Sequence, residues 1–168
     1  DMDQMLFYLP LAGSTFKKTY FDENIGRAVS KFVPAENLVV PYETTDLETC
    51  PNITHVVRIS LNDLRKSQIS GFYRDIDVLP VQEDLNQVQE EVNKIDGTSP
   101  SQIDYDCTLL ECHVDLDLDG FQELDDEGEP TGIKVPYVVT ISQDNGQILS
   151  IRRNYREDDE LKGKIQYF

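Results

Sequence analysis

The sequence predicts an α+β fold of antiparallel β-hairpins with at least two packed helices, arranged as a single domain over residues 1–168. Three patterns carry that expectation. Two β-rich runs, Thr15 to Phe21 and Arg27 to Val33, flank an Asp/Asn/Gly cluster, DENIG, which is the signature of a hairpin. A second pair, Val135 to Ser142 and Ile148 to Tyr155, flanks QDNGQ, where Asn145-Gly146 suits the positive φ angles of a tight turn. Between the two pairs lie two helix patterns.

Taken in order, Pro34 ends the first hairpin, and Leu38-Val39-Val40 is a brief strand closed by Pro41. Thr44 to Asn52 is expected to be a loop, and His55 to Ile59 another short strand. Ser60 followed by Asp63 supplies an N-cap with an acid three residues on, so a helix of about ten residues follows and stops near Gly71, a residue suited to the left-handed C′ position. Val81, Leu85, Val88, Val92 and Ile95 then recur at steps of four, three, four and three, an apolar stripe on an acidic helix ended by Gly97. One such stripe is what a surface helix needs to stay docked on a core. Residues 97–101, GTSPS, form a weak linker, too short to divide the domain.

Composition narrows the function. A chain of 168 residues with 39% apolar content, seven Phe and eight Tyr is long enough for a real core and excludes wholesale disorder. It holds 32 acidic and 15 basic residues, a net charge of −17, and such a surface repels phosphate. The acids concentrate at Glu83 to Glu91, Asp115 to Glu129 and Glu157 to Glu160, read as solvated faces and loops. Three cysteines, Cys50, Cys107 and Cys112, cannot all pair and form no C-x-x-C, which favours a reducing compartment. Asn52-Ile53-Thr54 matches the glycosylation sequon, a pattern common by chance. No run of about 18 apolar residues and no secretory leader pattern is seen, so a soluble protein is expected. Because the chain opens at Asp1 in mid-element and stops at Tyr167-Phe168, it is expected to be a piece of a longer polypeptide.

The stretch His113 to Asp126, HVDLDLDGFQELDD, contains D-x-D-x-D-G, the opening of a calcium-binding EF-hand loop. Counted from Asp115, ligand positions three and five are Asp117 and Asp119, and Gly120 falls at six. The match then decays: position eight, normally apolar, is Gln122, and position twelve is Asp126, a shorter ligand than Glu. Upstream, Leu110, Cys112, Val114, Leu116 and Leu118 alternate with Glu111, His113, Asp115, Asp117 and Asp119, which is a strand period and not a helix period. In a strand the three aspartates stand roughly 6.6 Å apart as a solvated row, not a cage.

Other chemistry is sparse. His55 and His113 are the only histidines, each inside a strand candidate, with His113 on the polar face beside Glu111 and Asp115. A Cys112–His113 pair cannot cooperate, because adjacent strand residues point to opposite faces. No G-x-x-x-x-G-K-S/T phosphate loop, H-E-x-x-H helix or G-x-S-x-G elbow occurs. Lys17-Lys18 beside Phe16 and Tyr20, Arg74 beside Phe72 and Tyr73, and Arg152-Arg153 before Tyr155 pair cations with aromatics, and are read as strand side chains facing solvent or local acids in preference to a nucleic-acid patch.

Six segments in order, FYLPLAGSTFKKTYFD, RAVSKFVPAENLVVPYETTDLE, THVVRIS, GFYRDIDV, LLECHVDLDLDG and GEPTGIKVPYVVTISQDNGQILSIRRNY, resemble the portal, or head-to-tail connector, protein of tailed bacteriophages of the short-tailed kind. The resemblance spans nearly the whole chain and is weakest over Val81 to Ile95. It implies a wing-region fragment of a longer subunit that joins other portal subunits in a ring, generally of twelve, at one capsid vertex. DNA is packaged and ejected through that ring. Through the full-length subunit the implied partners are capsid, terminase and tail proteins, and the implied location is the virion, assembled in the bacterial host cytoplasm. DNA would pass the channel without binding this acidic fragment, and no membrane is involved.

The resulting expectation is a structural virion protein with no catalysis, no cofactor and no metal, and no catalytic, cofactor-binding or metal residue is nominated. Two readings compete with it. One is a calcium-binding module using the D-x-D-x-D-G segment; the other is an acidic DNA mimic that occupies a basic, nucleic-acid-binding protein and would do so salt-sensitively.

Overall fold

A computed structural model describes residues 2–22, 26–78, 106–156, 161–164 and 166–168. The stripe Val81 to Ile95, the linker 97–101 and the acidic clusters at 83–91 and 157–160 lie outside the described residues. The rest is an α+β fold: helix α1 (Met2–Ala12), strands β1 (Thr15–Asp22), β2 (Arg27–Pro34), β3 (Leu38–Val39) and β4 (Asn52–Ser60), helix α2 (Leu61–Ile69), then β5 (Asp106–Leu116), β6 (Val135–Ser142) and β7 (Ile148–Arg153). β1 and β2 form an antiparallel hairpin, with Thr15 opposite Pro34 and Asp22 opposite Arg27. The other five make one sheet in the order β3-β4-β5-β6-β7.

Contacts divide the chain into two units, the first holding residues 1–56, 111–139 and 151–168, the second 57–110 and 140–150. Each has its own core. In the second unit, Leu64, Val78, Cys107, Leu109 and Leu149 are buried together, with Val57, Ile59, Leu61 and Tyr73 packed against them. Helix α2 presents Leu64 to this cluster because its start is fixed: the Ser60 hydroxyl accepts a 3.2 Å hydrogen bond from the Asp63 amide, satisfying one orphan donor of the first turn. The helix ends as its sequence predicts, with Gly71 at φ +78° and its amide donating to the Gln68 carbonyl. Gln68 is itself buried, and its amide nitrogen donates to the carbonyls of Arg74 and Ile76, so the returning chain is tied to α2 without leaving a buried polar group unsatisfied.

In the first unit, Val33, Leu38, Ile53 and Tyr167 form the buried cluster, flanked by Phe16, Val40, Leu47 and Cys50. The Gln166–Phe168 segment runs along β1 as an added ribbon: the Lys17 amide donates to the Phe168 carbonyl at 2.8 Å, the Phe168 amide returns the bond at 2.9 Å, and the Thr19 amide donates to the Gln166 carbonyl at 2.7 Å. This pairing seats Tyr167 at 1% exposure.

Two expectations are corrected and one unforeseen helix is added. The hairpin between β6 and β7 turns over five residues, and only Gly146, at φ +67°, is left-handed; among the described residues no non-glycine has positive φ, so Asn145 does not take the paired left-handed angles of a two-residue turn. Asn145 instead accepts the Gln147 amide at its Oδ1, a side-chain turn that relieves the need for them. β5 starts earlier and stops earlier than the alternation suggests, leaving Asp117 and Asp119 in the loop after it. Finally, α1 lies where no helix was expected, and it holds Pro10. Pro10 sits in the last turn, where Gly13 at φ +76° closes the helix with its amide on the Leu9 carbonyl.

Replacing Leu64 by Ala is expected to lower stability by about 2–5 kcal/mol, a transfer loss plus a cavity, while Leu11→Ala, at a side chain 72% exposed, costs under about 0.5 kcal/mol. Urea unfolding of both variants measures this, and equal costs would contradict the assignment of the core.

Candidate functional site

Strand periodicity puts Glu111 and His113 on one face of β5, two residues apart. That face does not look to solvent. Unlike the exposed Asp115, Asp117 and Asp119 that follow them, Glu111 and His113 have side chains 19% and 10% exposed. What covers them is Lys18 of β1 and Tyr167 of the ribbon paired with it.

All three donors converge on one atom. Glu111 Oε1 accepts from the Lys18 ammonium, from the Tyr167 hydroxyl at 3.0 Å, and lies 3.0 Å from His113 Nε2. The Tyr167 ring is in turn enclosed: His55 and His113 meet it edge-on at centroid distances of 5.6 and 5.2 Å, and the Lys18 ammonium stands 5.6 Å from its centre. The cluster therefore joins β1, β4, β5 and the Gln166–Phe168 segment through side chains alone.

Its electrostatics follow from burial and pairing. Burial by itself would raise the Glu111 carboxyl, but the His113 hydrogen bond and the Lys18 charge outweigh it and hold the group well below the usual carboxylate range. Tyr167 is pushed up strongly, first by burial and then by the adjacent Glu111 charge. His55 is lowered to about 4, chiefly by burial, then by the Lys18 charge, with Glu111 opposing. Its Nδ1 is buried without a hydrogen-bond partner among the described residues.

A carboxylate held ionised, with three donors on one oxygen, is a weak base at neutral pH, and a tyrosine displaced upward is a weak acid. General acid–base work favours groups poised near the operating pH. The arrangement is suited to fixing strands against one another, not to moving protons. A cleft of about 600 Å³ opens beside it, lined on different sides by Cys50, Asp115, Tyr137 and Lys164 and touching His113 and Tyr167.

The other residues singled out in the sequence are dispersed. Asp115, Asp117 and Asp119 are all exposed, the first within β5 and the other two just after it, and a Leu124–Pro130 bridge follows, so the D-x-D-x-D-G segment lacks the two flanking helices of an EF-hand. Among the described residues no group of three or more His, Cys, Asp or Glu side chains is placed to hold a metal ion. Asp125 serves the loop itself, its Oδ1 accepting the Glu127 and Glu129 amides. Cys112 points away from His113 and accepts from Thr54 at 3.6 Å. Lys18 meets a buried acid, and Arg153 pairs with Glu123 and stacks 5.7 Å from the Tyr137 ring centre. Lys18 and Tyr167 were not visible as members of a site in the sequence, since 93 and 56 residues separate them from Glu111.

No model of a known protein family matches this chain, and no curated protein sequence matches it. No helix among the described residues is long and apolar enough to cross a membrane.

Removing one partner of the Lys18–Glu111 pair strands the other as a buried charge. Glu111→Gln and Lys18→Met are each expected to cost about 3–5 kcal/mol, and the double variant less than their sum by at least about 1 kcal/mol. A double-mutant cycle by urea unfolding checks this; strictly additive losses would show that the two groups do not act together.

Proposed function

We propose that the chain is a wing-region segment of the portal ring of a tailed bacteriophage, a structural virion part without catalysis or cofactor. The observation that carries this reading is the ordered resemblance of six segments over nearly the whole chain to portal proteins of short-tailed phages. The α+β architecture of hairpins and helices is compatible with it. So is the buried cluster, whose groups are tuned for holding strands in place.

Two surface features also support an assembly role. Helix α1 has no buried residue and exposes Leu6, Phe7 and Leu11 at 62–72%, apolar surface of the kind that neighbouring protein covers in an assembly. The net charge of −17 disfavours contact with DNA phosphates and fits a part that flanks the channel without gripping what passes through it. In this reading the contacts to terminase, capsid and tail proteins belong to the full-length subunit.

The polypeptide as its gene encodes it is expected to form rings with a central hole when purified and imaged by electron microscopy. A monodisperse, ring-free population over the accessible concentration range would overturn the proposal. Saturable calcium binding lost in Asp117→Ala, or tight salt-sensitive capture of a basic nucleic-acid-binding protein, would each replace it by the corresponding rival.

A further inference from the structure

While β2 and β3 pack on the Tyr167 ring through the apolar Val33 and Leu38, the titratable and charged groups around it are Lys18 from β1, His55 from β4, and Glu111, Cys112 and His113 from β5. Only one of them is a carboxylate. Its Oε1 is already filled by the Lys18, His113 and Tyr167 donors. A proton added to His55 therefore brings a second positive charge beside Lys18 with no free acceptor on that oxygen. It also creates a buried N–H or strands one, because Nδ1 has no hydrogen-bond partner among the described residues.

We infer that the Gln166–Phe168 segment is an acid-sensitive latch on β1, closed while His55 is neutral and loosened when His55 gains a proton. The inference concerns the cluster itself and stands apart from the portal reading. Opening the segment withdraws the Tyr167 ring, exposes His55 to water and frees its ring nitrogens to bond solvent. Protonation thus favours the open arrangement through solvation and through relief of repulsion from Lys18.

The linkage has a definite sign. His55 is lowered to about 4 in the closed arrangement and returns to about 6.5 when solvated. The open arrangement binds the extra proton in that interval, so the latch is fully held above pH 6.5 and is lost as pH falls through 4. At pH 5 one such proton corresponds to about a tenfold rise in the open population, after allowing for solvent screening of a partly buried ring.

Hydrogen–deuterium exchange resolves this on the amides that close the latch. Lys17, Thr19 and Phe168 donate the bonds between β1 and the segment, whereas the Arg74 amide, which donates to Leu149 in the other unit, serves as internal reference. After correction for intrinsic rates, protection at Lys17, Thr19 and Phe168 is expected to fall about tenfold from pH 7.5 to pH 5, with Arg74 unchanged. His55→Phe keeps an aromatic edge against Tyr167 and removes the proton site, so it should abolish the fall; His55→Gln does the same if the Phe variant fails to fold. Unchanged protection in the parent chain, or an undiminished fall in both variants, would overturn the inference.

Discussion

Burying a carboxylate is the constraint around which the first unit is organised. An ionised Glu111 taken out of water is tolerable only where charge and hydrogen bonds replace its hydration. The replacements come from residues far apart in the chain, Lys18 and Tyr167, and from His113 two positions away. The carboxylate thus selects one register: β1 must bring Lys18 over β5, and the segment after Lys164 must place Tyr167, not a neighbour, against the same oxygen. A slip of one residue in either strand would turn those side chains to the opposite face.

Tyr167 links this polar constraint to the apolar one. Its hydroxyl ends on Glu111 while its ring belongs to the cluster with Val33, Leu38 and Ile53. The same side chain contributes area burial and a satisfied donor, the combination for which buried tyrosines are suited. The second unit works differently. There the capped helix α2 and the hydrogen-bonded Gln68 position Leu64 on an otherwise apolar cluster, with no buried ion pair among its described residues.

Most of the local structure was legible from the sequence because it depends on short-range signals. Gly26 and the β-rich runs around it mark the first hairpin, Ser60 and Asp63 mark the start of α2, and Gly71 marks its end. Alternation from Leu110 to Asp119 identified β5, but periodicity alone states only that two faces differ, not which neighbour covers each. Glu111 and His113 could therefore be placed on the polar face but not assigned a cover. Their burial depends on a hairpin 93 residues earlier and a segment 56 residues later, a non-local fact that no pattern of spacing encodes. Helix α1 was not read from the sequence; Pro10 in its last turn has no N–H to donate to the carbonyl four residues back.

The charge state of Glu111 is the direct test of this account. Following the Glu111 side-chain carboxyl by carbon NMR from pH 7 downward should show it ionised well below the usual carboxylate range, with no titration step near pH 4.5. A midpoint at or above the model-peptide value would mean that burial, not pairing, governs the group, and the cluster could not be what holds the register of the first unit.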